Sequence, residues 1–275
     1  MTVDPPAAEA PADPPIEHWR VVLLQIRLAG LISGDELLGR VDREPVDLRP
    51  INLGPTSRDP VSLEAEHPSL PHRQWSATRL MNILDLGRRA GWLIHHEGRL
   101  PGWNLTAAGR VEGERLLADE LQECGGYGAV WSTYREFRDL NRRFLDVCTD
   151  WQLRSTPASE PTNDDPGVRV TNDHTDSAWD QAVIGRLESL HAEIGELLRT
   201  TSAAVPRFAS YAGRFATALQ RVVDGEWDWL TRPSIDSYHT VWFELHEDLL
   251  ATLGLSRSSE HDDSDEDGAA GTRNP

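Results

Sequence analysis

The chain has 275 residues, 39% of them apolar, with 45 acidic against 27 basic side chains and a formal net charge of −18. That length fits one or two domains. Every basic residue is Arg, which excludes a Lys Schiff base and the phosphate-binding Lys of a Walker loop. Two cysteines, Cys124 and Cys148, cannot build a four-thiolate zinc site or a disulfide framework. Apolar runs such as Val21-Val22-Leu23-Leu24 fall far short of the ~20 residues of a membrane helix. The opening Met-Thr-Val-Asp-Pro-Pro has neither the basic nor the apolar region of a secretory signal. The expectation is a soluble, cytoplasmic protein with no membrane partner and no cofactor.

Charge is unevenly spread. Residues 16–118 balance 13 Arg against 13 acids, whereas 119–255 carry 12 Arg against 23 acids. A neutral part followed by an acidic part predicts two units with different partners. Residues 1–15 are rich in Pro, Ala and acid, and 256–275 form an acidic run; both read as disordered tails.

Helical spacing of Ile16, Trp19, Val22, Leu23, Ile26 and Leu28 predicts a helix over 16–29, ended by Gly30. Ser33-Gly34-Asp35-Glu36 matches a capping box and opens a short helix over 34–41. Six prolines between 42 and 75 forbid a long helix there and mark an insertion. Ser76 is placed to cap a third helix that runs to Ala90 and stops at Gly91. Residues 92–95 and 103–105 flank a turn-rich tip and predict a β-hairpin. Thr106 then caps a helix to about Leu121, and Gly125-Gly126 marks a hinge.

Beyond the hinge, 127–255 reads as all-helical. Four apolar series recur every three or four residues, one each around Phe137, Leu187, Phe215 and Leu245, and predict an antiparallel bundle with a polar crossover at 154–175.

The order helix, capped helix, helix, hairpin, helix resembles a winged helix-turn-helix domain over 16–121. The likeness is carried by Leu84-Asp85-Leu86-Gly87-Arg88-Arg89-Ala90-Gly91-Trp92-Leu93-Ile94 and by Gly102-Trp103-Asn104-Leu105-Thr106-Ala107-Ala108-Gly109-Arg110. These strings are similar to the end of a recognition helix, the wing and the entry to the next helix in MarR-like bacterial regulators. The whole chain resembles two-part actinobacterial transcriptional regulators, whose second half carries strings like Cys148-Thr149-Asp150-Trp151-Gln152 and Asn172-Asp173-His174-Thr175-Asp176. The resemblance implies a mainly α fold, an N-terminal winged helix with a small wing followed by the helical bundle. It also implies double-stranded DNA, a small-molecule effector and a second copy of the chain as partners. The 42–75 insertion departs from that pattern, which joins the second and third helices by a few residues.

A helix that enters a major groove needs cations toward phosphate and polar groups toward base edges. Residues 73–99 hold five Arg against two acids. Thr78, Arg79, Asn82 and Asp85 share one helix face, where Asn82 suits an adenine edge and Arg79 a guanine edge. Leu80, Ile83, Leu84 and Leu86 fit the buried side. Arg73, Arg88, Arg89 and Arg99, the last at the wing tip, are candidates for phosphate; the plain alternative is a solvated face of ordinary ion pairs.

The acidic half concentrates Trp, His and carboxylates. His239, Trp242 and His246 lie on one helix face, Asp150 and Trp151 close the first bundle helix, His174 sits in a loop, and Tyr211 and Arg214 lie on the third bundle helix. Three readings stand: an effector pocket walled by Trp151, Tyr211 and Trp242 with Arg214 receiving an anion; mutual pairing of buried polar groups; and a metal site built from His174, His239, His246 and a carboxylate. Neither a nucleophile elbow nor a Gly-rich phosphate loop is present, so no enzymatic activity is expected. The sequence therefore reads as a ligand-responsive DNA-binding regulator. The alternative is a protein–protein adaptor that uses the winged scaffold without binding DNA.

Overall fold

The structure is a computed structural model that describes residues 14–43, 75–155 and 169–256. Arg73, nearly all of the 42–75 insertion and most of both predicted tails lie outside the described residues. The chain is mainly helical. It divides into two compact units, and the division falls between Leu116 and Leu117.

In the first unit, α1 (Ile16–Ala29) ends at Gly30, whose N–H still reaches back to the Ile26 and Arg27 carbonyls and whose φ of 74° turns the chain out of the helix. Helix α2 (Gly34–Val41) starts where Ser33 accepts from the Glu36 amide, and α3 (Ala77–Arg89) starts where Ser76 accepts from the Arg79 amide. These caps satisfy amides that no helical carbonyl can reach. Two strands follow, β1 (Leu93–His96) and β2 (Gly102–Leu105), paired antiparallel with Leu93 opposite Leu105. The first strand starts one residue later than the alternation suggests, because the Trp92 amide is held by the Gly87 carbonyl at 2.9 Å. Ile32 adds an antiparallel bridge to Trp103. Helix α4 (Ala107–Cys124) begins beside Thr106. The core of this unit joins Val22, Leu23 and Ile26 of α1 to Leu37, Leu80, Leu84, Leu93, Trp103 and Leu116. Arg27 of α1 bonds Glu114 of α4 at 2.7 Å.

The second unit contains α5 (Tyr127–Gln152), α6 (Ser177–Ala204), α7 (Ala209–Val223), the short α8 (Asp228–Thr231) and α9 (Tyr238–Leu253). Contacts advance along one helix as they retreat along its neighbour: Thr133 with Thr201 and then Arg143 with Glu193 between α5 and α6, Tyr211 with Asp248 and then Arg214 with Glu244 between α7 and α9. The neighbours therefore run antiparallel. Their apolar stripes meet in one core that includes Phe137, Phe144, Leu187, Ile194, Phe208, Phe215, Trp242 and Leu245.

The all-helical expectation for this unit needs one correction. The ends of the polar crossover pair as strands β3 (Leu153–Ser155) and β4 (Arg169–Thr171), with Leu153 opposite Thr171. Leu153 leaves α5 in an extended conformation, and the β-branched Val170 and Thr171 suit a ladder. The Asn172 amide closes it on the Gln152 carbonyl at 2.8 Å.

Candidate functional site

Helix α3 turns one side inward and the other to solvent. Leu80, Ile83 and Leu84 are buried, while Leu86 and Asp85 are half-buried. Thr78, Arg79, Asn82, Arg88 and Arg89 are exposed. Arg88 makes a long, exposed pair with Asp85 at 3.4 Å, the kind of contact that contributes little to stability. Asn82 and Arg89 have no partner among the described residues.

The hairpin beside this helix is anchored at its base and open at its tip. The Ile32 and Trp103 backbones exchange two hydrogen bonds, at 3.1 and 2.8 Å. The Asn104 amide donates to the Gly30 carbonyl at 2.6 Å, and the rings of His95 and Trp103 pack at 4.6 Å across the strands. Thr106 donates its hydroxyl proton to the Gly91 carbonyl at 2.6 Å and accepts from the Gly109 amide at 3.0 Å. A Cβ at Gly109 would overlap the Trp92 carbonyl, so the Thr-Ala-Ala-Gly string is a packing requirement as well as a helix start. Beyond these anchors Arg99 is exposed and Leu100 is 73% exposed.

The ligand-binding candidates of the second unit fall into separate places. Trp151 and His174 come together with ring centroids 4.5 Å apart. His174 has a φ of 55°, a costly conformation for a side chain-bearing residue. Its Nδ1 lies 3.1 Å from both oxygens of Asp180, and Trp227 packs on it at 4.8 Å. Asn172 donates to Asp180 at 2.8 Å and to the Trp151 carbonyl at 3.1 Å, which fixes the loop. Asp150 pairs with Arg186 at 2.9 Å.

Arg214 is already spoken for. Its guanidinium grips Asp236 at 2.5 Å and Glu244 at 2.7 Å, and it lies 5.5 Å from the Tyr211 ring centroid. Burial opposes the charge, but the two carboxylates override it and raise the guanidinium pKa. His239, Trp242 and His246 pack along the aromatic stripe of α5: His239 on Phe144 at 6.1 Å, Trp242 on Phe144 at 4.4 Å and His246 on Phe137 at 5.1 Å. Burial lowers the His239 pKa. These contacts favour mutual pairing and core packing over a pocket that receives an anion at Arg214. No group of three or more His, Cys, Asp or Glu with metal-binding geometry occurs among the described residues.

A larger polar cluster escaped the sequence reading. Arg207 is 6% exposed. It donates to Glu120 at 2.6 Å, to both oxygens of Asp248 at 2.6 Å and to Thr252 at 2.5 Å. Tyr211 donates to Asp248 at 2.9 Å. A signal was available: Arg207, Tyr211 and Arg214 recur at i, i+4 and i+7, and Glu244 and Asp248 at i and i+4, the pattern of two antiparallel faces joined by charge. No helix among the described residues is long and apolar enough to cross a membrane. Comparisons with models of protein families, with curated proteins and with solved structures give no match.

Proposed function

We propose that this protein is a DNA-binding transcriptional regulator of the winged helix-turn-helix, MarR-like type, in which the acidic helical unit senses a ligand or mediates dimerisation. In this reading α2 and α3 are the helix-turn-helix, β1 and β2 the wing, and α3 the element that enters the major groove. The observation that carries it is the outward face of α3: Thr78, Arg79, Asn82, Arg88 and Arg89 are exposed there in a strongly acidic chain. Arg99 at the hairpin tip adds a cation of the same kind. The bridge from Ile32 to Trp103 supports the wing, since it ties the hairpin to the segment between α1 and α2.

Mechanistically, Asn82 would read a base edge, and the Arg forks would hold phosphates through paired N–H donors. The acidic charge of the remainder repels phosphate and restricts the productive approach to the Arg-bearing face.

Genome-wide capture of DNA bound to the tagged full-length protein tests the reading. A discrete set of sites is expected. Changing Arg88, Arg89 and Arg99 together to Ala should abolish retardation of those fragments and reduce the salt slope of log K by about 3, roughly one unit for each lost phosphate contact. An empty profile, or unchanged affinity in the triple variant, rejects DNA binding at this face and leaves the adaptor.

A further inference from the structure

Helix α5 carries a line of arginines on its outward side. Arg135, Arg138 and Arg142 follow one another at i, i+3 and i+7 and so share one side of the helix. Arg135 and Arg142 are exposed and Arg138 is half-buried. Other guanidinium groups of the helical unit close on a carboxylate of a different element: Arg143 on Glu193, Arg186 on Asp150, Arg207 on Asp248 and Arg214 on Glu244. Arg135, by contrast, has no partner among the described residues. Arg142 meets Asp139 one turn back, with both side chains exposed, a kind of pair that contributes little. Glu136 lies about 100° around the helix from Arg135 and accepts from Ser132 at 3.2 Å. The line is therefore a positive face in a unit where acids outnumber Arg by 23 to 12 over residues 119–255.

The end of α9 indicates what reaches this face. His239 packs on Phe144 and His246 on Phe137, so α9 runs antiparallel to α5, and the same register sets Leu253 level with Val130. The chain leaves α9 there, at Gly254 in the left-handed conformation with φ 68°. Arg135 stands five residues further along α5, about 7.5 Å at the rise of a helix. Nineteen residues follow Ser256, and six of the eight at 260–267 are Asp or Glu, with no Arg among them. Four extended residues from Ser256 to Glu260 span up to about 13 Å, and the eight of the acidic run up to about 26 Å. The distance from Arg135 to Arg142 along the helix is only about 10 Å. Length, starting point and charge therefore all match.

We propose that the acidic run at 260–267 docks on the Arg135, Arg138 and Arg142 face of α5 of its own chain, and that an anionic partner reaches this face only by displacing it. Tethering holds the run near millimolar effective concentration, which suffices for a few exposed charge pairs. The inference does not depend on DNA binding by α3.

A nitroxide on Ser264→Cys tests this in the full-length, 15N-labelled protein. Cys124→Ser removes the exposed native thiol, and Cys148 is buried. In about 0.1 M salt the amides of Arg135, Arg138 and Arg142 should lose intensity to the spin label. The loss should vanish in about 1 M salt, where the Debye length falls from about 10 to about 3 Å. It should also vanish in Arg135→Gln, Arg142→Gln, whose exposed positions leave the core and the urea midpoint unchanged. Equal intensity with and without the nitroxide leaves the face to some other partner and overturns the proposal. So does a loss that persists in the double variant or in high salt. A mixture of 15N-labelled chains lacking the nitroxide with unlabelled chains carrying it should show no loss; a loss there assigns the face to the run of a second copy and overturns docking within one chain.

Discussion

Arg207 illustrates how one side chain can organise a core. It donates to Glu120, Asp248 and Thr252, and Tyr211 donates to the same Asp248 carboxylate. Burial works against its charge, and Asp248 and Glu120 outweigh that and raise its pKa. Removing the guanidinium would leave two buried carboxylates uncompensated. Arg207→Ala should therefore destabilise the helical unit by about 3–5 kcal/mol, measured by urea unfolding. The histidines give a pH signature of their own. Burial lowers the pKa of His191 and of His239, so the unfolded chain binds protons at these sites more tightly than the folded one. Their contribution is complete above the ordinary histidine value of about 6.5 and is lost as pH falls below it. Unfolding free energy measured across that window should decline toward acid, and the double change His191→Gln, His239→Gln should flatten the decline. Cys148 supports the core rather than chemistry, since burial pushes its thiol up to about 12.

At the scale of elements, helix ends decide the local geometry. Ser33 and Ser76 each close the first turn of a helix, with amide-to-hydroxyl distances of 3.2 and 3.1 Å. Ser76→Ala should cost about 1 kcal/mol, seen as a lower urea midpoint with an unchanged slope. The start of α4 is more sensitive. There the Trp92 carbonyl and the Gly109 backbone approach so closely that no Cβ fits. Gly109→Ala should cost about 1–3 kcal/mol through forced backbone shifts. It should also broaden the amide resonances of the hairpin, because the same Trp92 carbonyl accepts the Thr106 amide at 2.9 Å.

For the molecule as a whole, charge and exposed apolar surface set the expected associations. The outward side of α5 carries Tyr127 and Trp131, 56% and 37% exposed, with near-parallel rings 6.4 Å apart. In the proposed reading in which the helical unit mediates dimerisation, this pair is the surface on which a second copy would pack, since aromatic anchors are common centres of interfaces. Light scattering of the full chain should give twice the monomer mass, and Trp131→Glu should return it to the monomer mass without lowering the urea midpoint. A monomeric parent protein rejects this interface.

Much of the secondary structure was legible in the residues because its determinants are local. Ser33, Ser76 and Gly30 act within one turn, and apolar spacing by three and four marks the buried side of a helix wherever it packs. The exposed side of α3 followed from the same periodicity. What escaped were features that join residues far apart in the chain: the Leu153–Thr171 ladder across the polar crossover, the Arg207 cluster joining Glu120 to Asp248, and the seat of Arg214 between Asp236 and Glu244. A sequence shows that a charge is present, but only the fold decides whether it meets solvent or a carboxylate. Asn82 and Arg214 separate on that ground: both stood out as polar groups on amphipathic helices, and packing left the first outside and enclosed the second.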